Sequence, residues 1–238
     1  MRYSRPLMIH LASIQAITLD LDDTLWPIAP TMVRAEAVLH QYLQEHAPAT
    51  AVLCYQQGAL ARIRQQLQRE WHDRLHDLSA LRRESIRRAL LEAGEDPDLA
   101  VPAFERFFAA RQQVDLYEDA LEALAFLASR YPLVALSNGN ADVHRVGLGQ
   151  HFHAAVSAQE FGVAKPDPRI FHEAAARAGV TAAEVLHIGD DAHLDVHGAR
   201  AAGMQCVWIN RHDQDWPDGS EPPLTFSTLR DLVDHLAA

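Results

Sequence analysis

Lysine is almost missing from this 238-residue chain: Lys165 is the only one, and arginine supplies every other fixed positive side chain. A single lysine kept among arginines marks a position that needs a compact ammonium rather than a planar guanidinium fork. Cysteine is equally scarce. Cys54 and Cys206 exclude a disulfide framework, and Cys206, inside the apolar run Cys206-Val207-Trp208-Ile209, reads as a buried, inert thiol. No uninterrupted apolar stretch approaches the ~20 residues of a membrane helix, so no span and no membrane partner are expected. Basic residues are outnumbered, for a formal net charge of −11. That balance excludes a general nucleic-acid binder, whose affinity rests on neutralising phosphates, and it suits a divalent cation instead. The excess is uneven: residues 31–111 hold 11 Arg against 11 Asp/Glu, which leaves all of the surplus acid outside that segment. Internal repeats and low-complexity tracts are also missing.

At this length the chain can form one large domain or a domain with a second inserted into it. Met8 to Leu19 is mildly apolar after Arg2 and Arg5, but His10, Ser13 and Gln15 interrupt it and no small-residue cleavage site follows. The expectation is a short leader and a first strand, in a cytoplasmic protein. From Thr31 to Arg111 the pattern is helical throughout. Met32, Ala35, Val38, Leu39, Tyr42 and Leu43 follow helical spacing, as do Leu60, Ile63, Leu67, Trp71 and Leu75. Further helices are expected over Arg82 to Ala93, ended by Gly94, and over Pro102 to Ala110.

After Tyr117 helices alternate with short apolar runs. Helical patterns cover Glu118 to Ser129, Ala141 to Leu148, Arg169 to Ala178 and Asp195 to Ala202. Strand patterns cover Leu133 to Leu136, Ala154 to Ser157, Val185 to Ile188 and Gln205 to Ile209. Such alternation predicts an α/β fold, a doubly wound parallel sheet covered on both faces. The strand near residue 17 must join that sheet across the helical block. The block at 31–111 is therefore an inserted all-helical domain, and 1–30 with 112–238 form the α/β domain, with hinges at Pro27 to Pro30 and near Val114. Asp213 to Pro223 reads as a polar surface loop.

Four segments sit where strands end, and in open parallel sheets ligands bind beyond the carboxyl ends of strands. Asp20-Leu21-Asp22-Asp23-Thr24 follows the buried run Ala16 to Leu19. Strand alternation puts Asp20 and Asp22 on one side. Two carboxylates that close need a cation or a shared proton, and either serves chemistry on an anion. Ser137-Asn138-Gly139-Asn140 closes the second strand and offers a hydroxyl and backbone N–H groups to an anion. In Lys165-Pro166-Asp167-Pro168, Asp167 is a helix N-cap with Pro168 at the first helical position, which aims Lys165 by rigid geometry. Gly189-Asp190-Asp191, with Asp195 beyond, places hard oxygen ligands suited to Mg²⁺ after another buried strand.

In this order the four segments resemble the haloacid dehalogenase superfamily of phosphohydrolases over nearly the whole chain, and the helical block resembles that family's cap domain of the first type. The resemblance implies a Mg²⁺-dependent phosphatase acting on a small-molecule phosphate monoester. Asp20 would be the nucleophile, forming an aspartyl-phosphate, and Asp22 the acid and base. Lys165, Ser137 and Asn138 would bind the phosphate; Asp20, Asp22 through its carbonyl, and Asp190 would hold the metal. Thr24 would buttress the loop, and Asp195 would orient Lys165 or a metal-bound water. Asp22 argues against the dehalogenase branch, which has no leaving alkoxide to protonate. A phosphomutase, or a silent binding protein on the same fold, is the alternative; in either reading the protein is expected as a monomer or a homodimer.

Other residues invite plainer readings. His72/His76 and His193/His197 have the i, i+4 spacing of a helical metal pair but come without a third ligand. Arg82, Arg83, Arg87 and Arg88 are balanced by nearby acids, though one could reach a substrate carboxylate or second phosphate. Trp26 and Trp71 could stack on a ring but fit the core.

Overall fold

A computed structural model describes residues 9–217, 219 and 221–238. The expected leader over residues 1–8 lies outside the described residues, as do positions 218 and 220 of the surface loop. The chain divides into two compact units, Met1–Pro27 with Leu116–Ala238, and Ile28–Asp115.

The first unit is built on a six-stranded, wholly parallel sheet. Its strands are β1 (Ala16–Leu19), β2 (Leu133–Ser137), β3 (Ala154–Ser157), β4 (Val185–Gly189), β5 (Gln205–Ile209) and β6 (Leu224–Phe226), in the order β3-β2-β1-β4-β5-β6. Every residue of β1, β2 and β4 is buried, as expected of strands covered on both faces. Leu19 lies level with Ala135 of β2 and Ile188 of β4. Chain order reverses at β1, and this is where such sheets open a ligand crevice. Helices of this unit include α6 (Ala120–Ala128), α7 (Ala158–Phe161), α8 (Pro168–Arg177), α9 (Gly198–Ala201) and α10 (Leu229–Ala237), following the five of the insertion. Ile170, Phe171, Ala174 and Ala175 of α8 pack with Ala16, Val134, Leu136 and Val185 in one apolar cluster.

The second unit is all helical: α1 (Ile28–His46), α2 (Pro48–Gln56), α3 (Ala59–Glu70), α4 (Leu78–Glu92) and α5 (Ala100–Arg111). Ala35, Leu39 and Leu43 of α1 form one stripe at i, i+4, i+8 that packs with Ile86, Leu90, Phe104 and Phe107. Asp77 caps α4 by accepting from the Ala80 N–H at 2.8 Å.

Four local expectations are corrected. Pro30 lies inside α1 rather than in a hinge, because a first-turn proline gives up a donor that has no helical acceptor anyway. The Leu60-to-Leu75 periodicity stops being helical at Glu70, and Leu75 is exposed in a turn. Residues 141–148 form turns, not a helix: the Asp142 carboxylate accepts from His144 and Arg145 N–H at 2.8 and 3.3 Å, and Gly147 at φ 84° leaves the helical region after a single turn. The expected helix from Asp195 is a π-helical turn, Ala192–His197, running into α9. No helix among the described residues is long and apolar enough to cross a membrane.

Candidate active site

The ladder between β1 and β4 continues one residue past β1, where the Asp20 N–H donates to the Ile188 carbonyl at 2.9 Å. The chain then folds back tightly. Asp23 takes φ 58°, its N–H donates to the Trp26 carbonyl at 2.7 Å, and the Leu25 N–H donates to Leu21 at 2.8 Å. Leu21 and Trp26 are buried and anchor this loop. Trp26 thus belongs to the core, and its indole N–H donates to the Asp22 carboxylate at 2.8 Å.

Lys165 is buried, and its ammonium donates to Asp20 at 2.5 Å and to Asp195 at 2.6 Å. Asp195 also faces His187 Nε2 at 3.0 Å and accepts from the Asp191 N–H at 3.0 Å. Both of its oxygens are therefore engaged in holding Lys165 and the β4 loop. Gly189 permits this, since a Cβ there would collide with the Asp195 carboxyl. The Thr24 hydroxyl lies 3.4 Å from Asp20 and 3.1 Å from Asp190, bridging the two carboxylates. Ser137, at the end of β2, is buried; its oxygen accepts from the Gly139 N–H at 2.9 Å, and its own hydrogen is left to donate to a ligand.

The Asn138 side chain is turned to Lys165. Its amide oxygen accepts from the Lys165 N–H at 2.7 Å and its amide nitrogen donates to the Lys165 carbonyl at 3.0 Å. It clamps the lysine backbone from both sides.

The electrostatics follow from burial. Asp20 is held well above the usual carboxyl range, chiefly by desolvation, with Lys165 opposing and Asp195 and Asp190 adding to the rise. Asp190 is raised to about 7 by burial and then by the Asp195 charge. Burial would raise Asp195 too, but Lys165 and His187 outweigh it and keep it ionised. Burial would lower Lys165, yet Asp195 and Asp20 raise it on balance. His187, fully buried, is pushed toward its neutral form by desolvation.

One oxygen each of Asp20, Asp190 and Asp195 lies within 4.8 Å of the others. Three carboxylates around one ammonium leave an excess of negative charge, and hard oxygen donors whose protons are held by mutual repulsion suit a divalent cation. Asp195 is occupied by Lys165 and His187, so Asp20 and Asp190 are the carboxylates that fit the metal.

Several supports were missed in the sequence. His187 stands in mid-strand, with Nδ1 2.8 Å from the Thr18 hydroxyl; an imidazole inside a strand buried on both faces was the signal that could have found it. The Trp208 indole donates to the Asp190 carbonyl at 2.6 Å. Arg211 donates to the Thr24 carbonyl at 3.0 Å, pairs with Asp119 at 3.1 Å and stacks 3.9 Å over the Tyr117 ring. The two i, i+4 histidine pairs are not among the described groups able to hold a metal.

A doubly wound sheet with a buried Asp–Lys–Asp cluster at its switch point defines a hydrolase of one known architecture. Residues 14–203 match the model of the haloacid dehalogenase-like hydrolases. The chain belongs to that family. It is 35% identical to the 5-amino-6-(5-phospho-D-ribitylamino)uracil phosphatase YigB of Escherichia coli (strain K12), over 98% of this chain and 99% of that protein. It is 31% identical to the glyceraldehyde 3-phosphate phosphatase of Methanopyrus kandleri, over 93% and 96%. Among solved structures it resembles a 2-haloacid dehalogenase from Pseudomonas syringae pv. Tomato DC3000, at TM-score 0.88 and 39% identity over 94% of this chain and 98% of that one.

Proposed function

We propose that this protein is a Mg²⁺-dependent phosphatase that hydrolyses a small-molecule phosphate monoester through an aspartyl-phosphate on Asp20, with the helical unit as its cap. The observation that carries this reading is the buried Lys165 ammonium 2.5 Å from Asp20, where it can offset charge on a transferring phosphoryl group. Relatives named as phosphatases over nearly their full length support the same class.

Asp20 attacks phosphorus, and a covalent intermediate splits one hard hydrolysis into two easier steps. Asp22, its carboxylate held by the Trp26 indole, protonates the leaving oxygen and then takes a proton from the water that cleaves the acyl phosphate. The Ser137 hydroxyl and Lys165 bind the phosphoryl oxygens. Asn138 and Asp195 fix Lys165, and His187 fixes Asp195, so the ammonium is positioned before substrate arrives. Asp20, Asp190 and the Asp22 carbonyl would hold Mg²⁺, which when bound supplies positive charge against the phosphate.

The test is phosphate release from a panel of small phosphate monoesters and an aryl phosphate, with Mg²⁺ or chelator, using Asp20→Asn as control. Halide release from 2-haloacids is measured in parallel, because one of the similar structures is a dehalogenase. Metal-dependent phosphate release that Asp20→Asn abolishes, without halide release, is the expected result. Halide release, or unchanged phosphate release in Asp20→Asn, would overturn the reading.

A further inference from the structure

Most arginines of the helical unit that form a described ion pair are matched one for one by carboxylates. Arg34 meets Asp115, Arg62 meets Glu92, and Arg88 reaches both Glu70 and Glu84, the latter also taken by Arg87. Arg64 and Arg82 are the exception. Both are directed at Glu36: Arg82 pairs with it directly, and Arg64 Nη2 stands 3.9 Å from the same oxygen. Arg82 is only 7% exposed and its guanidinium lies 4.3 Å over the Phe107 ring. The Tyr55 hydroxyl joins them, 3.3 Å from the Glu36 carbonyl and 3.5 Å from its carboxylate. Two cations and a phenol thus converge from α2, α3 and α4 on one carboxylate of α1, a local excess of positive charge in a chain of net −11.

We propose that Arg64, Arg82 and Tyr55 form a binding site for a small anion, a carboxylate or phosphate group, on the helical unit. Arg82 is pre-organised, since its stacking on Phe107 and its bond to Glu36 leave its long side chain little freedom to lose. Arg64 is the adaptable member, with 40% of its side chain exposed and its weak contact to Glu36 at the edge of ion-pair range. Desolvation, and then the Arg82 charge, make protonated Arg64 less favourable than usual. That is the condition of a cation short of counter-charge, and an incoming anion relieves it. The Tyr55 hydroxyl, pushed upward by burial and the Glu36 charge, stays neutral, and its one hydrogen, now donated to Glu36 over a long bond, turns to the anion. Guanidinium pairs recognise planar carboxylates and phosphates through charge-assisted bonds.

The anion has two sources, a second charged group on the substrate or a separate solute. The substrate arm rests on the phosphatase reading; the binding arm does not. Malonate is titrated calorimetrically into the full-length wild type, Arg64→Gln and Arg64→Lys in chelator. Hydrolysis is then followed with an aryl phosphate, which lacks a second anion, and with a phosphate ester that carries a carboxylate. Saturable malonate binding is expected, weakened about 10–100-fold in Arg64→Gln, the range for one charge-assisted contact, and less in Arg64→Lys, which keeps the charge but not the guanidinium fork. If the anion belongs to the substrate, Arg64→Gln raises KM for the carboxylated ester by a similar factor with the aryl phosphate unchanged, and malonate competes with that ester. If it is a separate solute, malonate binds with the same Arg64 dependence and does not compete. Absence of saturable malonate binding by the wild type, or equal affinity in Arg64→Gln, overturns the proposal. Failure of the wild type to release phosphate from any ester overturns the phosphatase reading and leaves the malonate result to decide the site.

Discussion

Lys165→Met separates the charge of Lys165 from its bulk. Methionine nearly matches the length of the lysine stem, but Asp20 and Asp195, 2.5 and 2.6 Å from the lost ammonium, are left buried without a fixed cation between them. Breaking a buried ion pair by removing one partner costs about 3–5 kcal/mol. For a domain of this size that lowers Tm by on the order of 10 °C. The loss should depend on pH. With Lys165 gone, both carboxyls are pushed up by desolvation and by each other, so the folded protein binds protons that the unfolded chain releases, and stability rises as pH falls. The deficit against wild type should therefore be greatest at pH 7.5 and shrink toward pH 5. In the wild type Asp195 is held below its usual range, and the stability this contributes is lost only below the carboxyl range, outside that window; the upward shifts of Asp20 and Asp190 are present in both proteins, so the change in the deficit comes from the further rise when Lys165 is removed. The assay is urea unfolding in chelator, followed by the fluorescence of the buried Trp26 and Trp208. Turnover should fall by about 10²–10³-fold or more, as when a preorganised charge-stabilising donor is removed. A variant as stable as wild type at pH 7.5, or a deficit unchanged between pH 7.5 and 5, would refute the account of Lys165 as the counter-charge of this cluster.

Asn138→Ala removes both bonds to the Lys165 peptide; stability should fall by about 1–3 kcal/mol for two hydrogen bonds. Turnover should drop about 10–100-fold with KM little changed, the pattern of a residue that positions a transition-state contact; a change confined to KM would instead make Asn138 a direct substrate ligand. Because Asp190 is raised to about 7, chiefly by burial, Mg²⁺ must displace its proton at lower pH. Affinity should tighten at least about tenfold per pH unit from pH 5 to 7, because the raised Asp20 must give up a proton as well. Calorimetry in buffers of different ionisation heat should detect at least about one proton released per metal at pH 6, and pH-independent affinity would contradict the assigned environment of Asp190 and Asp20.

Much of the molecule could be read in one dimension. Apolar runs such as Leu133 to Leu136 and Val185 to Ile188 announce buried parallel strands, because a strand covered on both faces must be apolar at every position. The acids, the serine and the lone lysine at the strand ends were visible for the same reason: each directly follows such a run or opens a helix, and the sheet's topology carries them to one edge. The i, i+4 stripe of Ala35, Leu39 and Leu43 likewise declares the helical insertion.

Tertiary structure alone decided the partners of these groups. Asn138 meets Lys165 across 27 residues, His187 meets Thr18 across 169, and Arg64 reaches Glu36 from another helix. No periodicity records such pairings, because they depend on how close separate elements approach. Local pattern failed where side-chain bonding outweighed it, as when Asp142 capped a turn in place of the expected helix. What the sequence determined by itself was which elements form and which reactive groups lie at their ends, since burial periodicity and end signals act over a few residues. What only the tertiary structure decided was the electrostatic state of those groups, because the proton affinities of Asp20, Lys165, Asp190 and Asp195 are set by desolvation and by one another, and neither exists until the sheet is assembled.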